Sequence, residues 1–239
     1  MQFEIGVESH TFSIIGRCHR TGMLGIAITT SDLCVGSRCP YVRPLVGAVS
    51  TQAATDPRLG PFALRLMDLG YSASRVIAEL EASDPHIERR QLGVVDRDGA
   101  SAARTGSFNG PWAGHVTGPN FVAMGNALAG EQVVQAMARA FQATEAADLE
   151  DRLLDAIDAG QDAGGEASDS TPYHSAALLV YASDSFPRVD LRVDEHPQPL
   201  VELRRLVQLY RPRMEMFSLR ARDPEATLSA AQDITLPTC

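Results

Sequence analysis

Lysine is absent: the 21 basic residues of this 239-residue chain are all arginine. Without an ε-amine the protein forms no lysine Schiff base, uses no lysine as a general base and carries no lysine-ended phosphate loop. Cysteine is scarce, with Cys18, Cys34, Cys39 and Cys239 making no Cys-x-x-Cys pair. That count excludes a disulfide scaffold and a zinc ribbon, and a reduced, cytoplasmic protein is expected. No apolar run approaches the roughly 20 residues that span a bilayer. The opening ten residues carry Glu4 and Glu8 instead of a basic start and an apolar stretch, so neither a signal peptide nor a membrane partner is expected. Positive charge is not in excess either. The formal net charge of −9 argues against nucleic acid as a partner. The six histidines (10, 19, 86, 115, 174, 196) show no HExxH or HxH spacing, and no GxSxG, GxGxxG or GxxxxGK[ST] motif occurs. No metal and no cofactor is therefore expected.

What is present is ample material for a core, at 44% hydrophobic residues. Thr11 to Ile15 and Met23 to Thr30 flank a polar, Gly-containing turn and read as a hairpin. Val46 to Thr51 is a third strand. Helices are expected from Pro61 to a stop at Gly70, and after Ser72 as cap. Leu92 to Asp96 and Ala100 to Thr105 flank an Asp-Gly turn, a second hairpin. Strand is expected at Val116 and Phe121 to Met124, then helices over Val133 to Phe141 and Leu149 to Ile157. Between Glu145 and Asp169 nine acids face one arginine, a run read as a solvated helix face and loop. A closing hairpin, Ser175 to Tyr181 and Val189 to Val193, leads to a helix carrying Leu200, Leu203, Leu206 and Tyr210. From Arg211 the periodicity fades. The expectation is one domain over residues 1–210 and a peripheral tail over 211–239. Strands in sets followed by helices imply antiparallel sheets under helices, an α+β layered fold. The late leucine helix suggests a homodimer or larger closed homo-oligomer.

One residue carries a chemical possibility. Thr11 opens the first strand, and a threonine hydroxyl is a poor nucleophile without a base beside it. A threonine that is itself N-terminal has such a base in its own α-amine, whose ordinary pKa of about 7.7–8.0 suits neutral pH. Strand propensity alone also accounts for a threonine here.

The blocks His10-Thr11-Phe12-Ser13-Ile14, Val46 to Gln52, Arg90 to Asp96, Trp112-Ala113-Gly114-His115, Gly125 to Gly130, Ser175 to Val180 and Asp190 to Asp194 resemble a bacterial family known as domain of unknown function 1028. The resemblance runs from about residue 10 to 210. That family is similar to the N-terminal-nucleophile hydrolases, which implies a four-layer αββα sandwich and a set of roles. Thr11 falls at the nucleophile, and Asp32, after the second strand, at a supporting acid. The backbone at Gln52 and Ala53 falls at an oxyanion hole. Gly125-Asn126 falls at the turn facing the nucleophile. Ser13, Thr30, Arg43, Thr51 and Trp112 are expected around the substrate. The chain departs from the pattern in lacking the assisting lysine, with Arg38 or Arg43 nearby in sequence instead. It has Asn109 where many members have cysteine, and Met124 where glutamine is usual.

The expected activity is hydrolysis of a non-peptide C–N bond in a small amide-like metabolite, with Thr11 as nucleophile once residues 1–10 are removed. A non-catalytic binding or scaffold protein that keeps its leading segment is the alternative. A mechanism using His115 with Asp32 on an intact chain is a third reading.

Overall fold

The computed structural model describes residues 10–166 and 174–225. Within them the chain forms ten strands and five α-helices. β1 (Thr11–Arg17) and β2 (Leu24–Thr30) make the first hairpin, closed by Cys18 N–H on Met23 O and Gly22 N–H on Cys18 O. β3 (Pro40–Arg43) and β4 (Gly47–Ala53) follow, then α1 (Leu59–Asp68) and α2 (Ala73–Ser83). β5 (Arg90–Asp96) and β6 (Ser101–Thr105) are joined by a turn that the Asp96 carboxylate fixes, accepting from the N–H groups of Asp98 and Ala100. β7 (Ala113–Gly118), β8 (Phe121–Asn126), α3 (Glu131–Ala143), α4 (Leu149–Asp162), β9 (Ser175–Tyr181), β10 (Val189–Val193) and α5 (Pro199–Arg222) complete the order.

All pairings between strands are antiparallel, in a six-stranded sheet of order β10-β9-β2-β1-β8-β7 and a four-stranded sheet of order β3-β4-β5-β6. The strands β1, β2, β4, β5, β8 and β9 are buried on both faces because each sheet is covered twice there. Phe12, Ile14, Ala123 and Leu178 pack under α3, α4 and α5, while Val49, Leu92 and Val94 pack under α1 and α2. Ile15, Ile26, Ile28, Val95, Val122 and Met124 fill the space between the sheets. The result is an α+β fold, two antiparallel sheets flanked by helices. Gly16 and Gly25 pair across β1 and β2. A Cβ on Gly16 would sit 2.6 Å from the Phe141 ring and one on Gly25 2.8 Å from Leu153, so this pair lets α3 and α4 settle on the sheet.

Three features differ from the sequence reading. β3 has no periodic signal of its own: four residues opened by a proline form an edge strand, where a missing N–H is tolerated. The last helix does not fade at Arg211 but continues through Pro212 to Arg222, with Met214 buried. Its leucine stripe serves the protein's own core, since Leu203 is fully buried and Leu200, Leu206 and Tyr210 pack partly against the same cluster. The acidic run is also more than a solvated face. Asp155 and Asp158 pair with Arg204, Asp151 pairs with Arg211, and the buried Glu150 meets Arg188 at 3.2 Å. Residues 1–9, 167–173 and 226–239 lie outside the described residues, which takes in the leading segment, the end of the acidic stretch and the last part of the expected tail. No helix among the described residues is long and apolar enough to cross a membrane.

Candidate functional site

Strand alternation sets the site. On β1 the even residues Phe12 and Ile14 face the helices, so Thr11, Ser13 and Ile15 face the second sheet. The register aligns Thr11 with Thr30 on one side and Asn126 on the other, and Thr30 in turn with Ser175. A row of small polar residues thus crosses one end of the six-stranded sheet. Opposite it, Gln52 of β4 pairs with Gln91 of β5.

Between the rows lies a buried amide network. Ser13 Oγ donates to Gln52 Oε1 at 2.7 Å, and Gln52 Nε2 donates to Gln91 Oε1 at 2.8 Å and to Thr11 O at 3.4 Å. Asn126 Nδ2 donates to the same Gln91 Oε1 at 3.1 Å. Gln91 Nε2 contacts Gly125 O at 2.8 Å, Thr105 Oγ1 at 2.9 Å and Gly114 O at 3.1 Å. Thr105 Oγ1 lies 2.9 Å from His115 Nδ1, at the outer end of the network. Each amide here is oriented by its partners, which is what buried polar groups require.

Beside the network opens a cleft of about 270 Å³. Thr11 and Thr30 form its floor on one side, and Asp32, Arg38 and Cys39 line the turn region after β2. Ala53, Ala54, Thr55 and Arg90 close it from the second sheet. Ala53 holds the left-handed backbone conformation, at φ 67°, which swings the chain from β4 into this wall. Thr30 Oγ1 donates to His10 O at 2.8 Å and lies 2.8 Å from Thr11 Oγ1. Since the single Thr30 proton is committed to His10 O, Thr11 is the donor to Thr30, and lone pairs of the Thr11 oxygen stay open to the cleft. His10 O also accepts from Ser31 N–H at 3.0 Å. Asp32 accepts from Leu33 N–H at 2.7 Å and has Arg38 3.6 Å away. Burial pushes the Cys39 thiol up to about 12, so it stands in the wall as a neutral group.

Of the residues singled out in the sequence, Thr11, Thr30 and Asp32 line the cleft together. Ser13, Gln52 and Asn126 sit just behind it in the network, their side chains tied to one another through Gln91. Gln52 and Ala53 belong to β4 itself and do not follow it. Four expectations are corrected. Thr51 alternates with Gln52, which faces the other sheet, and does not itself line the cleft, its hydroxyl lying 3.2 Å from that of Thr55. Arg43 sits at the far end of β3 on Asp68, 3.0 Å away. Trp112 packs against the helix-side core beside Gly114. His115 is exposed, does not line the cleft, and reaches Thr11 only through Thr105, Gln91 and Gln52. Its surroundings still desolvate the ring enough to hold its pKa below the ordinary value. Sequence reasoning missed Gln91, Arg90 and Thr55. The first two stand inside the Arg90 to Asp96 block, but their cross-sheet partners are distant in sequence. Among the described residues no group of three or more His, Cys, Asp and Glu side chains is placed to hold a metal.

No curated protein matches the chain. A crystal structure of a protein from Silicibacter pomeroyi, of family DUF1028, superposes with a TM-score of 0.77 at 34% sequence identity, over 84% of this chain and 86% of that one. The model of a family described only as a family of unknown function, DUF1028, matches residues 11–203, from the first residue of β1 into α5. The chain therefore belongs to the DUF1028 family.

Proposed function

We propose that this protein is an N-terminal-nucleophile-type hydrolase that cleaves a non-peptide C–N bond in a small amide-like metabolite, with Thr11 as nucleophile. The helix–sheet–sheet–helix order and the position of Thr11 at the start of a central strand support the reading. One observation carries it: the hydrogen-bond chain from Thr11 Oγ1 to Thr30 Oγ1 to the carbonyl oxygen of His10. That chain is suited to freeing the Thr11 amine. Thr11 Oγ1 attacks the His10 carbonyl carbon, its proton passes to Thr30, and the Thr30 proton passes to the His10 oxygen, which Ser31 N–H also stabilises. The His10–Thr11 C–N bond then breaks with the proton returned to the leaving nitrogen, and water hydrolyses the resulting ester. The product is a Thr11 with a free α-amine.

That amine fills a gap in the cleft, whose lining offers no imidazole and no lysine. In turnover it takes the Thr11 hydroxyl proton as oxygen attacks the substrate carbonyl, then delivers it to the departing nitrogen, and water releases the acyl group. Asp32 and Arg38 order the polar wall. The test is intact mass and N-terminal sequencing of the purified protein, followed by a panel of small amides, ureides and lactams. A Thr11 N-terminus and turnover are expected. Thr11→Val should stay full length and inactive, and Thr30→Val should process far more slowly than Thr30→Ser. Turnover by Thr11→Val would overturn the assignment.

The burial of His10 and the two hydrogen bonds on its carbonyl favour a second reading, a binding or scaffold protein that keeps its leading segment. A full-length chain that takes no acyl adduct from an electrophile would establish it.

A further inference from the structure

We infer that the cleft beside Thr11 recognises a ligand carrying a carboxylate, and that Arg38 is the residue that grips it. The inference rests on the hydrolase reading for the position of the reacting amide, but the anion site follows from the wall itself. Two guanidinium groups and one carboxylate line the cleft. The two arginines are engaged to very different degrees. Arg90 is 13% exposed, with Nε on Asp84 at 2.8 Å and Nη1 on the carbonyl of Ala54. It is already used to tie the end of α2 to the turn after β4.

Arg38 is the reverse case. Its side chain is 48% exposed. Its contacts among the described residues are a 3.6 Å approach to Asp32 and a 3.4 Å bond to Leu33 O, both from Nη2. A guanidinium has five N–H donors in a planar fork, so Nε and Nη1 remain for a ligand. Of the other wall groups only Asp32 opposes an anion, and it lies against the Nη2 side of Arg38; the rest do not repel one. The Thr55 hydroxyl donates to Thr51 O, Thr30 donates to His10 O, and the Cys39 thiol is neutral. Arg90 adds positive field across the cleft, partly offset by Asp84 behind it. A ligand carboxylate takes a charge-assisted bond from the Nη1 side of Arg38, which Asp32 and Leu33 O leave unused, while an amide on the same small molecule lies toward Thr11.

Calorimetry on the purified protein tests this with N-acetylglycine, its neutral methyl ester and inorganic phosphate. N-acetylglycine should bind about tenfold or more tightly than the ester, the ratio expected for one charge-assisted contact. Arg38→Gln should remove that advantage without changing the affinity for the ester, and Arg38→Lys should restore only part of it because the ammonium is more strongly hydrated and sits on a shorter side chain. Arg38 is exposed, so an unchanged melting temperature is expected and checks that the variants fold. Equal binding of acid and ester overturns the inference, as does wild-type affinity in Arg38→Gln. Phosphate binding as tightly as N-acetylglycine overturns the carboxylate assignment. These outcomes are independent of chemistry. A chain that cleaves nothing but binds N-acetylglycine through Arg38 loses the hydrolase reading and keeps this one. A chain that turns over an N-acylated acid and its uncharged ester equally well, and does so unchanged in Arg38→Gln, keeps the hydrolase reading and loses this one.

Discussion

The space between the two sheets has two halves, built by the same strands and facing the same way. Toward one end it is filled by Ile15 of β1, Ile26 and Ile28 of β2, Val95 of β5 and Val122 and Met124 of β8. Two to four residues further along those strands the same face carries Ser13 and Thr11, Thr30, Gln91 and Asn126, with Gln52 opposite. The apolar half needs only shape. In the polar half each group needs a particular partner, because an unpaired buried amide costs about 1–3 kcal/mol. A protein that needed only stability would extend the first half into the second. The polar half is where the cleft opens, and its fixed amides hold Thr11 in place from behind.

The sharpest way to break the contrast is in the apolar half. Ile26→Ala removes buried methylenes from a site with no slack and should cost about 3–4 kcal/mol, read from the denaturant midpoint. A cost under about 1 kcal/mol would mean the half is loosely packed. In the polar half, Gln91→Leu keeps the volume but strands the amides of Gln52 and Asn126, for a loss of about 2–3 kcal/mol. The double variant Gln52→Leu with Gln91→Leu should lose at least ~1 kcal/mol less than the sum of the single changes, since each removes the other's orphan. Strict additivity would show that the network is a set of independent contacts.

The rim offers a smaller contrast, set by charge. Hydrogen bonding to Arg58 holds the Asp56 carboxyl down, to about 2. Its folded pKa lies below its unfolded one, so its stabilisation is fully present above about pH 4 and is lost as the pH falls through about 2. Because Arg58 is largely exposed, Asp56→Asn should cost under about 1 kcal/mol at neutral pH and flatten the acid limb. The smallest effect belongs to His115. Desolvation disfavours its imidazolium, so its NMR titration midpoint should fall below the usual value of about 6.5. Its contribution to stability is complete above that value and declines as the pH drops through the lowered midpoint. A midpoint above 6.5 would place a carboxylate near the ring that the structure does not.

Most of this architecture could be read from the order of residues. Hairpins with polar or Asp-Gly turns, a serine cap at Ser72 and helical spacing before Gly70 are local signals, and they appear where expected. β3 escaped because four residues leave no period to detect, and the helix beyond Arg211 because Pro212 and scattered arginines mask it. The site was legible only in part. Thr11, Thr30 and Asp32 lie on or just after paired strands, so hairpin register alone brings them together. Thr51 was misplaced by one step of alternation: which of Thr51 and Gln52 faces the other sheet is decided by what covers each face. Gln91 and Arg90 met their partners through a sheet-to-sheet contact that no short-range pattern encodes.

The position of β1 in its sheet has a consequence of its own. With β2 on one side and β8 on the other, every step of Thr11 would have to slide two hydrogen-bonded ladders at once. Amide exchange along this strand should track global unfolding, whereas the turns carrying Arg38 and Thr55 should exchange through local opening. Any adjustment of the cleft then falls to the wall that bears Arg38, Ala53 and Thr55. The Thr11 hydroxyl is the fixed point of the cleft, and the wall facing it is the part expected to yield.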